Sequence, residues 1–82
     1  MEQEIGKVIH YFDKAMVAVI RLSSDLKIGD TVKFIHGENE FTQTVDSIQV
    51  EHKPIKGGKS GEEVAVKVEQ ETKVGTRVLK IS

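Results

Sequence analysis

The tripeptide Gly58-Lys59-Ser60 matches the end of the loop that holds phosphate groups in many nucleotide hydrolases. That loop needs an earlier glycine five residues before Gly58, and this position holds Lys53. It also needs a helix directly after it, because the helix N-terminus and successive backbone N–H groups hold the phosphates. The next residues, "EEVAVKV", alternate with a period of two and begin with two acids that would repel a polyphosphate. The sequence therefore predicts a chain-reversing loop and no nucleotide site.

Histidine, serine and acidic side chains are the other candidates for catalysis or metal binding. The histidines lack metal-ligand spacing, and the chain has no cysteine to join them. No serine lies in the Gly-x-Ser-x-Gly pattern of a nucleophile elbow. Glu62 and Glu63 are neighbours on a predicted strand, so they point to opposite faces and cannot act as a paired acid and base. We expect no catalytic residue, no cofactor and no metal, and therefore a protein that is not an enzyme.

Four lysines form the remaining candidate site. Lys53, Lys56 and Lys59 give one loop a local positive charge, and Lys67 lies on the strand that follows. One interpretation is a solvated loop, since lysine is ordinarily exposed. The other is a small patch that contacts the phosphates of a nucleic-acid end, where lysines position the backbone without reading its sequence. Both interpretations stay open at this point.

The composition indicates one soluble domain built from strands. The chain has 82 residues, 38% of them apolar, with only four aromatic residues and no cysteine. Its valines and isoleucines favour pleated sheets, where branched side chains pack well. The net charge of −1 argues against a general nucleic-acid binder, which normally has a basic surplus. No apolar run approaches the ~18 residues of a membrane span, and no secretory leader is apparent, so a cytoplasmic location is expected.

Apolar alternation along the chain predicts about six short strands. The segments are "EIGKVIHYF", "KAMVAVIRL", "TVKFI", "EFTQTVDSIQV", "EEVAVKVEQ" and "TKVGTRVLKI". The second is apolar on both faces and is predicted to be a covered central strand. Residues 36–39 are predicted to form a four-residue hairpin loop, and the alternation must slip by one near Asp46 and Ser47, as at a bulge. These features predict an all-β barrel and a single domain over residues 1–82.

Several segments together resemble the second-domain β-barrel of translation elongation factors such as elongation factor Tu. In order they are "LKIGDTVKF", "FTQTVDSIQVEHKPI", "GEEVAVKV" and "VGTRVLKI". The opening "IGKVIHYFDKAMVAVIRL" is similar to small stand-alone translation-factor-like proteins, and related copies occur at the C-termini of collagenase-like peptidases. The resemblance covers residues 5–81 and implies a six-stranded antiparallel barrel. It also implies no GTP hydrolysis, because the GTPase domain of those factors is missing from this sequence.

The resemblance further implies where a tRNA end would bind. In that family the second domain holds the terminal adenosine and the aminoacyl group. The carboxylate, cationic and apolar contact positions correspond here to Gln49, His52 and Lys67. Gln49 can hydrogen-bond an adenine edge, and His52 can stack or, when protonated, pair with phosphate. The implied nucleic-acid face therefore consists of Gln49, His52, Lys53, Lys56, Lys59 and Lys67.

Two functions of different kinds follow from these observations. The first is a non-catalytic binding module that contacts RNA, such as a tRNA end, or a protein of translation or RNA modification. The second is an accessory domain that docks on a separately encoded enzyme such as a collagenase-like peptidase. An accessory domain would be expected to show an apolar side chain at its surface, and Phe12 or Met16 is the expected candidate. The sequence predicts neither the partner nor the oligomeric state.

Overall fold

The computed structural model describes residues 2–51 and 53–81, and these form ten antiparallel strands. Eight belong to one sheet with the order β5-β4-β10-β1-β2-β9-β6-β7, and β3 pairs with β8 in a small second sheet. The strands are β1 (Glu2–Phe12), β2 (Val17–Leu22), β3 (Leu26–Lys27), β4 (Thr31–His36), β5 (Asn39–Thr44), β6 (Ile48–Val50), β7 (Lys53–Ile55), β8 (Gly57–Gly58), β9 (Glu63–Lys67) and β10 (Arg77–Ile81). In this part of the chain there is no helix that could span a membrane.

The all-β antiparallel prediction is confirmed, whereas the predicted six-stranded closed barrel is not. The two ends of the strand order, β5 and β7, are not joined by a ladder in the ranges that the structure describes. The predicted long strand from Glu40 to Val50 is also wrong as a single element. Residues 45–47 separate β5, which pairs with β4, from β6, which pairs with β7 and β9. The predicted slip in alternation is nevertheless present, since Val45 and Ile48 are both buried.

The β4–β5 hairpin is tighter than the sequence predicted. His36 pairs directly with Asn39, so the loop has two residues, Gly37 and Glu38, instead of four. Gly37 has a φ of 62°, which a two-residue hairpin turn requires and glycine adopts without steric cost. The short loop leaves His36 and Asn39 at the ends of the two strands.

Two irregularities in β1 shape the core. The register shifts between Glu4 and Gly6 against β10, and again between Val8 and His10 against β2. Each bulge adds one residue, which resets the inward and outward alternation. Ile5 and Val8 are consequently fully buried, and Tyr11 packs against the same core. These core-facing residues of β1 are three positions apart, whereas a regular strand would place them two apart. The core is aliphatic around Phe34, with contributions from β1, β2, β4, β6, β9 and β10.

The side chain of Gln43 links β5 to the chain that leaves β9. Its Nε2 donates a hydrogen bond to the Lys67 carbonyl, and its Oε1 accepts one from the Glu69 N–H, both at 2.9 Å. Val68, between them, donates its own N–H to the Met16 carbonyl on the other side. The side-chain amide therefore provides the same donor and acceptor as a peptide group of a neighbouring strand. Gln43 is only 6% exposed, so these bonds are largely shielded from water.

Replacing Gln43 by methionine should destabilise the protein by about 2–3 kcal/mol. Methionine keeps most of the side-chain volume but leaves the Lys67 carbonyl and the Glu69 N–H without their partner, and each such loss costs roughly 1–3 kcal/mol. The matched control is Gln49→Met, because Gln49 is exposed on β6 and surface changes usually stay within about 0.5 kcal/mol. Urea unfolding measures both, and equal stability of the two variants would contradict the bridging role.

Candidate interaction surfaces

Gln49 and Lys67 lie on the outer face of the sheet. Gln49 is directly opposite Ala65 on β9, so the two side chains project to the same side. Lys67 follows two residues after Ala65 and is exposed on that face as well. The structure therefore brings together two of the residues that the resemblance implied.

The remaining predicted residues do not complete a single face with this pair. Lys53 pairs with Val50 at the edge strand β7. Lys56 and Lys59 flank β8 and line a cleft to which Gln49, Lys53 and Lys67 do not contribute. His52 lies outside the described residues. The role of these residues in nucleic-acid binding stays a prediction, but the predicted surface is divided into separate parts.

The cleft beside the small sheet collects four lysines, and we call it the lysine cleft. It has a volume of about 470 Å³ and is lined by Asp25, Leu26, Lys27, Lys56, Gly57, Gly58, Lys59 and Lys80. Sequence reasoning found Lys56 and Lys59 but missed Lys27 and Lys80. Those two come from β3 and β10, which lie far from the loop in sequence. The pairing of β3 with β8 brings Lys27 to the loop, and Lys80 of β10 lines the same cleft. The fold thus brings four lysines and one aspartate to the same cleft.

The Gly-Lys-Ser segment belongs to this region and forms a turn. Gly58 ends β8, and β9 begins at Glu63, so a strand follows the turn as the alternation predicted. The Glu62 carboxylate accepts a hydrogen bond from the Lys59 N–H at 2.6 Å, which closes the turn. Gly61 has a φ of 91°, a conformation that favours glycine. The segment reverses the chain and places Lys59 at the cleft.

A second cavity lies between the β4–β5 hairpin and residues 70–76. Its volume is about 220 Å³, and its walls include Phe34 and Phe41, whose rings stack at 4.8 Å with an angle of 15° between them. The buried hydroxyls of Thr72 and Thr76 donate to backbone carbonyls and so are already satisfied. Its other polar lining side chains are His36, Asn39, Glu40, Gln70, Glu71 and Lys73. Residues 2–51 and 53–81 contain no cluster of three or more His, Asp or Glu side chains suited to a metal ion.

Tyr11 has an altered acidity. Burial raises the pKa of its phenol above the ordinary value of 10.0, and the negative charges of Glu71 and Asp13 raise this pKa further. The hydroxyl donates to the Met16 sulfur at 3.2 Å. The folded protein therefore favours the neutral phenol. This preference contributes to the free energy of unfolding. The contribution is complete below pH 10 and is lost as the pH rises through the higher pKa of the folded state.

Absorbance at 295 nm should show Tyr11 titrating above pH 10 in the folded protein. The measurement is unambiguous because this is the only tyrosine and there is no tryptophan. In concentrated urea the midpoint should return to about 10, the value of a free phenol. Glu71→Gln should lower the folded midpoint, whereas Glu38→Gln in the hairpin turn should leave it in place. A folded midpoint at or below the urea value would contradict the assignment.

Of the four large apolar side chains exposed in the described residues, two lie on β1 and a third lies on a turn beside it. Phe12 is 49% exposed, and its ring meets His10 edge-on at a centroid distance of 4.5 Å. Ile9 on the same strand is exposed, as is Val74. The turn that carries Val74 lies beside β1, since Gly75 donates its N–H to the Val8 carbonyl at 2.8 Å. We call Ile9, Phe12 and Val74 the β1 patch.

The β1 patch includes one of the two side chains that were expected at the surface of an accessory domain. Phe12 is at the surface, as that function predicts. Met16 is half-buried. It adopts a φ of 55°, which is unusual for a residue with a side chain, and its carbonyl accepts the Val68 N–H. Met16 therefore has a structural role at the end of the β1–β2 turn, and Phe12 is the candidate contact residue.

Comparison with known proteins connects the chain to peptidases. No protein-family model matches the sequence. It is 41% identical over 76 residues, or 92% of this chain, to an uncharacterized protease of Methanocaldococcus jannaschii. The chain spans only about a fifth of that protease, 19% of its length. The similarity therefore concerns one segment of a larger protein.

Solved structures show the same fold in a peptidase domain. The crystal structure of the C-terminal domain of a putative U32 peptidase from Geobacillus thermoleovorans has a TM-score of 0.90, covering 98% of this chain and 93% of that one. Its selenomethionine variant has a TM-score of 0.87, covering 93% and 96%. Both are 22% identical to this sequence, so the likeness shows a common fold. The predicted link to peptidase C-terminal domains is supported, whereas the elongation-factor resemblance is not shown.

Proposed function

We propose that this chain is a non-catalytic protein-interaction domain that accompanies a peptidase and docks on the rest of that enzyme. The observation that carries the proposal is the similarity to a protease over nearly the whole chain. The shared fold with a domain at the C-terminus of a putative peptidase supports the same assignment. In this function the chain supplies a binding surface and no reacting group.

The β1 patch is the docking surface in this proposal. An exposed aromatic ring offers a large contact area at a small cost in conformational entropy, and such rings are frequent among the residues that dominate binding energy. His10 already packs against Phe12, which restricts the ring before a partner arrives. Ile9 on the same strand and Val74 on the turn beside β1 add further exposed apolar area. A domain with this surface can associate by burying the patch against a complementary apolar region.

The alternative is the RNA-contacting module implied by the elongation-factor resemblance. Its predicted residues are spread over the outer face, the β7 edge and the lysine cleft, and the comparisons lend it no support. The docking experiment must therefore also be able to detect tRNA binding.

The experiment uses the Methanocaldococcus jannaschii protease with its matching 76-residue segment deleted. Mixed with the purified chain, it should form a complex that sedimentation velocity detects. Phe12→Ser should weaken that complex roughly tenfold or more, as expected for an aromatic contact residue. Ile28→Ser is the matched control, because Ile28 is an equally exposed apolar residue outside the patch.

Two controls make a negative result informative. The protease's own excised segment must bind the truncated enzyme under the same conditions. If that segment binds and this chain does not, the proposed docking is wrong. Equal weakening of the complex by Phe12→Ser and Ile28→Ser would show that the chain docks on the protease but that the β1 patch is not the contact surface. Tight binding of unfractionated tRNA in place of the truncated protease would support the RNA module.

A further inference from the structure

The lysine cleft contains an unpaired piece of strand edge. Lys27 is opposite Gly57, and the residue that follows β3, Ile28, donates its N–H to the Lys56 carbonyl at 2.9 Å. Alternate residues of an antiparallel strand turn their backbone groups away from the partner strand. Gly57 therefore directs its N–H and C=O away from β3, and no backbone bond to these groups is present within the described ranges. An extended chain can pair with such an edge.

Glycine is required at this edge. A Cβ at position 57 would lie 2.8 Å from the Leu26 carbonyl oxygen, so a side chain there would push the two strands apart. Gly57 is exposed, and without a side chain its backbone is open to close approach. The same residue therefore permits the tight β3–β8 pairing and contributes exposed backbone to the lining of the cleft.

The charge around this edge is strongly positive. Four lysines and one aspartate line the cleft, in a chain whose net charge is −1. Lys80 is paired with Asp30 at 3.3 Å. Among the described residues, the other three lysines form no ion pair with a carboxylate. Their ammonium groups are thus available to an incoming anion next to the Gly57 edge.

The lining favours a peptide over a nucleic acid. Proteins that hold single-stranded nucleic acid combine positive charge with aromatic rings on which bases stack. No aromatic residue lines this cleft, whose uncharged surface comes from Leu26, Gly57 and Gly58. Backbone pairing at Gly57 suits an extended peptide, and the lysines suit its carboxylates.

We propose that the lysine cleft binds an extended acidic peptide. The peptide backbone pairs with the N–H and C=O of Gly57, and its carboxylates lie beside Lys27, Lys56 and Lys59. This site is separate from the β1 patch and goes beyond the proposed docking function, on which it does not depend. The peptide segment is defined by its chemistry, with successive Glu or Asp side chains and no requirement for an aromatic residue.

Titration with an acetylated, amidated hexaglutamate peptide tests this site. Amide resonances of residues 26–28 and 57–59 should shift, and the affinity should fall as salt is raised, because screening weakens exposed charge pairs. The double variant Lys56→Glu/Lys59→Glu should bind at least tenfold more weakly. Lys14→Glu/Lys73→Glu makes the same change in net charge away from the cleft, and its affinity should fall less than twofold.

Other outcomes would overturn the proposal. Equal weakening by the two double variants would mean attraction by net charge alone, and an absence of shifts at millimolar peptide would remove the site. Tighter binding of hexauridylate to the same amides would assign the cleft to nucleic acid. Circular dichroism checks that each variant is folded. Should the glutamate variant unfold, Lys56→Gln/Lys59→Gln replaces it, and unchanged peptide affinity in that variant would contradict the site.

Discussion

The bridge from Gln43 to the chain beyond β9 is the constraint on which the arrangement of the sheet depends. Gln43 lies on β5, the first strand of the order, and its side chain is buried. One side-chain amide supplies a donor to Lys67 and an acceptor to Glu69, which are the two groups that a further strand would have supplied. Because Val68 is held from the opposite side by Met16, this segment is fixed between two parts of the molecule.

The Gln43 bridge also affects the segment that forms part of the protein surface after β9. Immediately after Glu69 the chain forms one wall of the smaller cavity, with Glu71 near enough to Tyr11 to raise the pKa of its phenol. It then turns at Val74 and returns beside β1, where Gly75 and Thr76 bond to Val8. The bridge fixes the start of this segment at Glu69, and the bonds to Val8 fix its end, so Val74 lies beside β1. The bulge between Val8 and His10 determines the exposure of Phe12 in the same patch, because it places Phe12 on the outside while Tyr11 faces the core.

Much of the fold could be predicted from local pattern, and the parts that could not depend on long-range pairing. Val64, Val66 and Val68 face the core as their alternation predicted, and the alternation slip between Val45 and Ile48 is present. Alternation says which face a residue occupies, but it does not say which strand lies next to it. For this reason the division of β5 from β6, the short β3–β8 pairing and the role of Gln43 were not predictable. Lys56 and Lys59 were identified from one loop, whereas Lys27 and Lys80 needed the tertiary structure.

Asp30 shows why net charge was a poor guide to this surface. Its carboxylate accepts the Lys27 N–H at 3.0 Å and contacts the Lys80 ammonium at 3.3 Å, so one acid orders two residues of the lysine cleft. Its own backbone is fixed by bonds to Lys27 and Val45. In a count of charges this aspartate cancels a lysine, but in the fold it holds Lys80 in place at the cleft. A nearly neutral chain can therefore present a strongly cationic site, because some of its acids serve to position the bases.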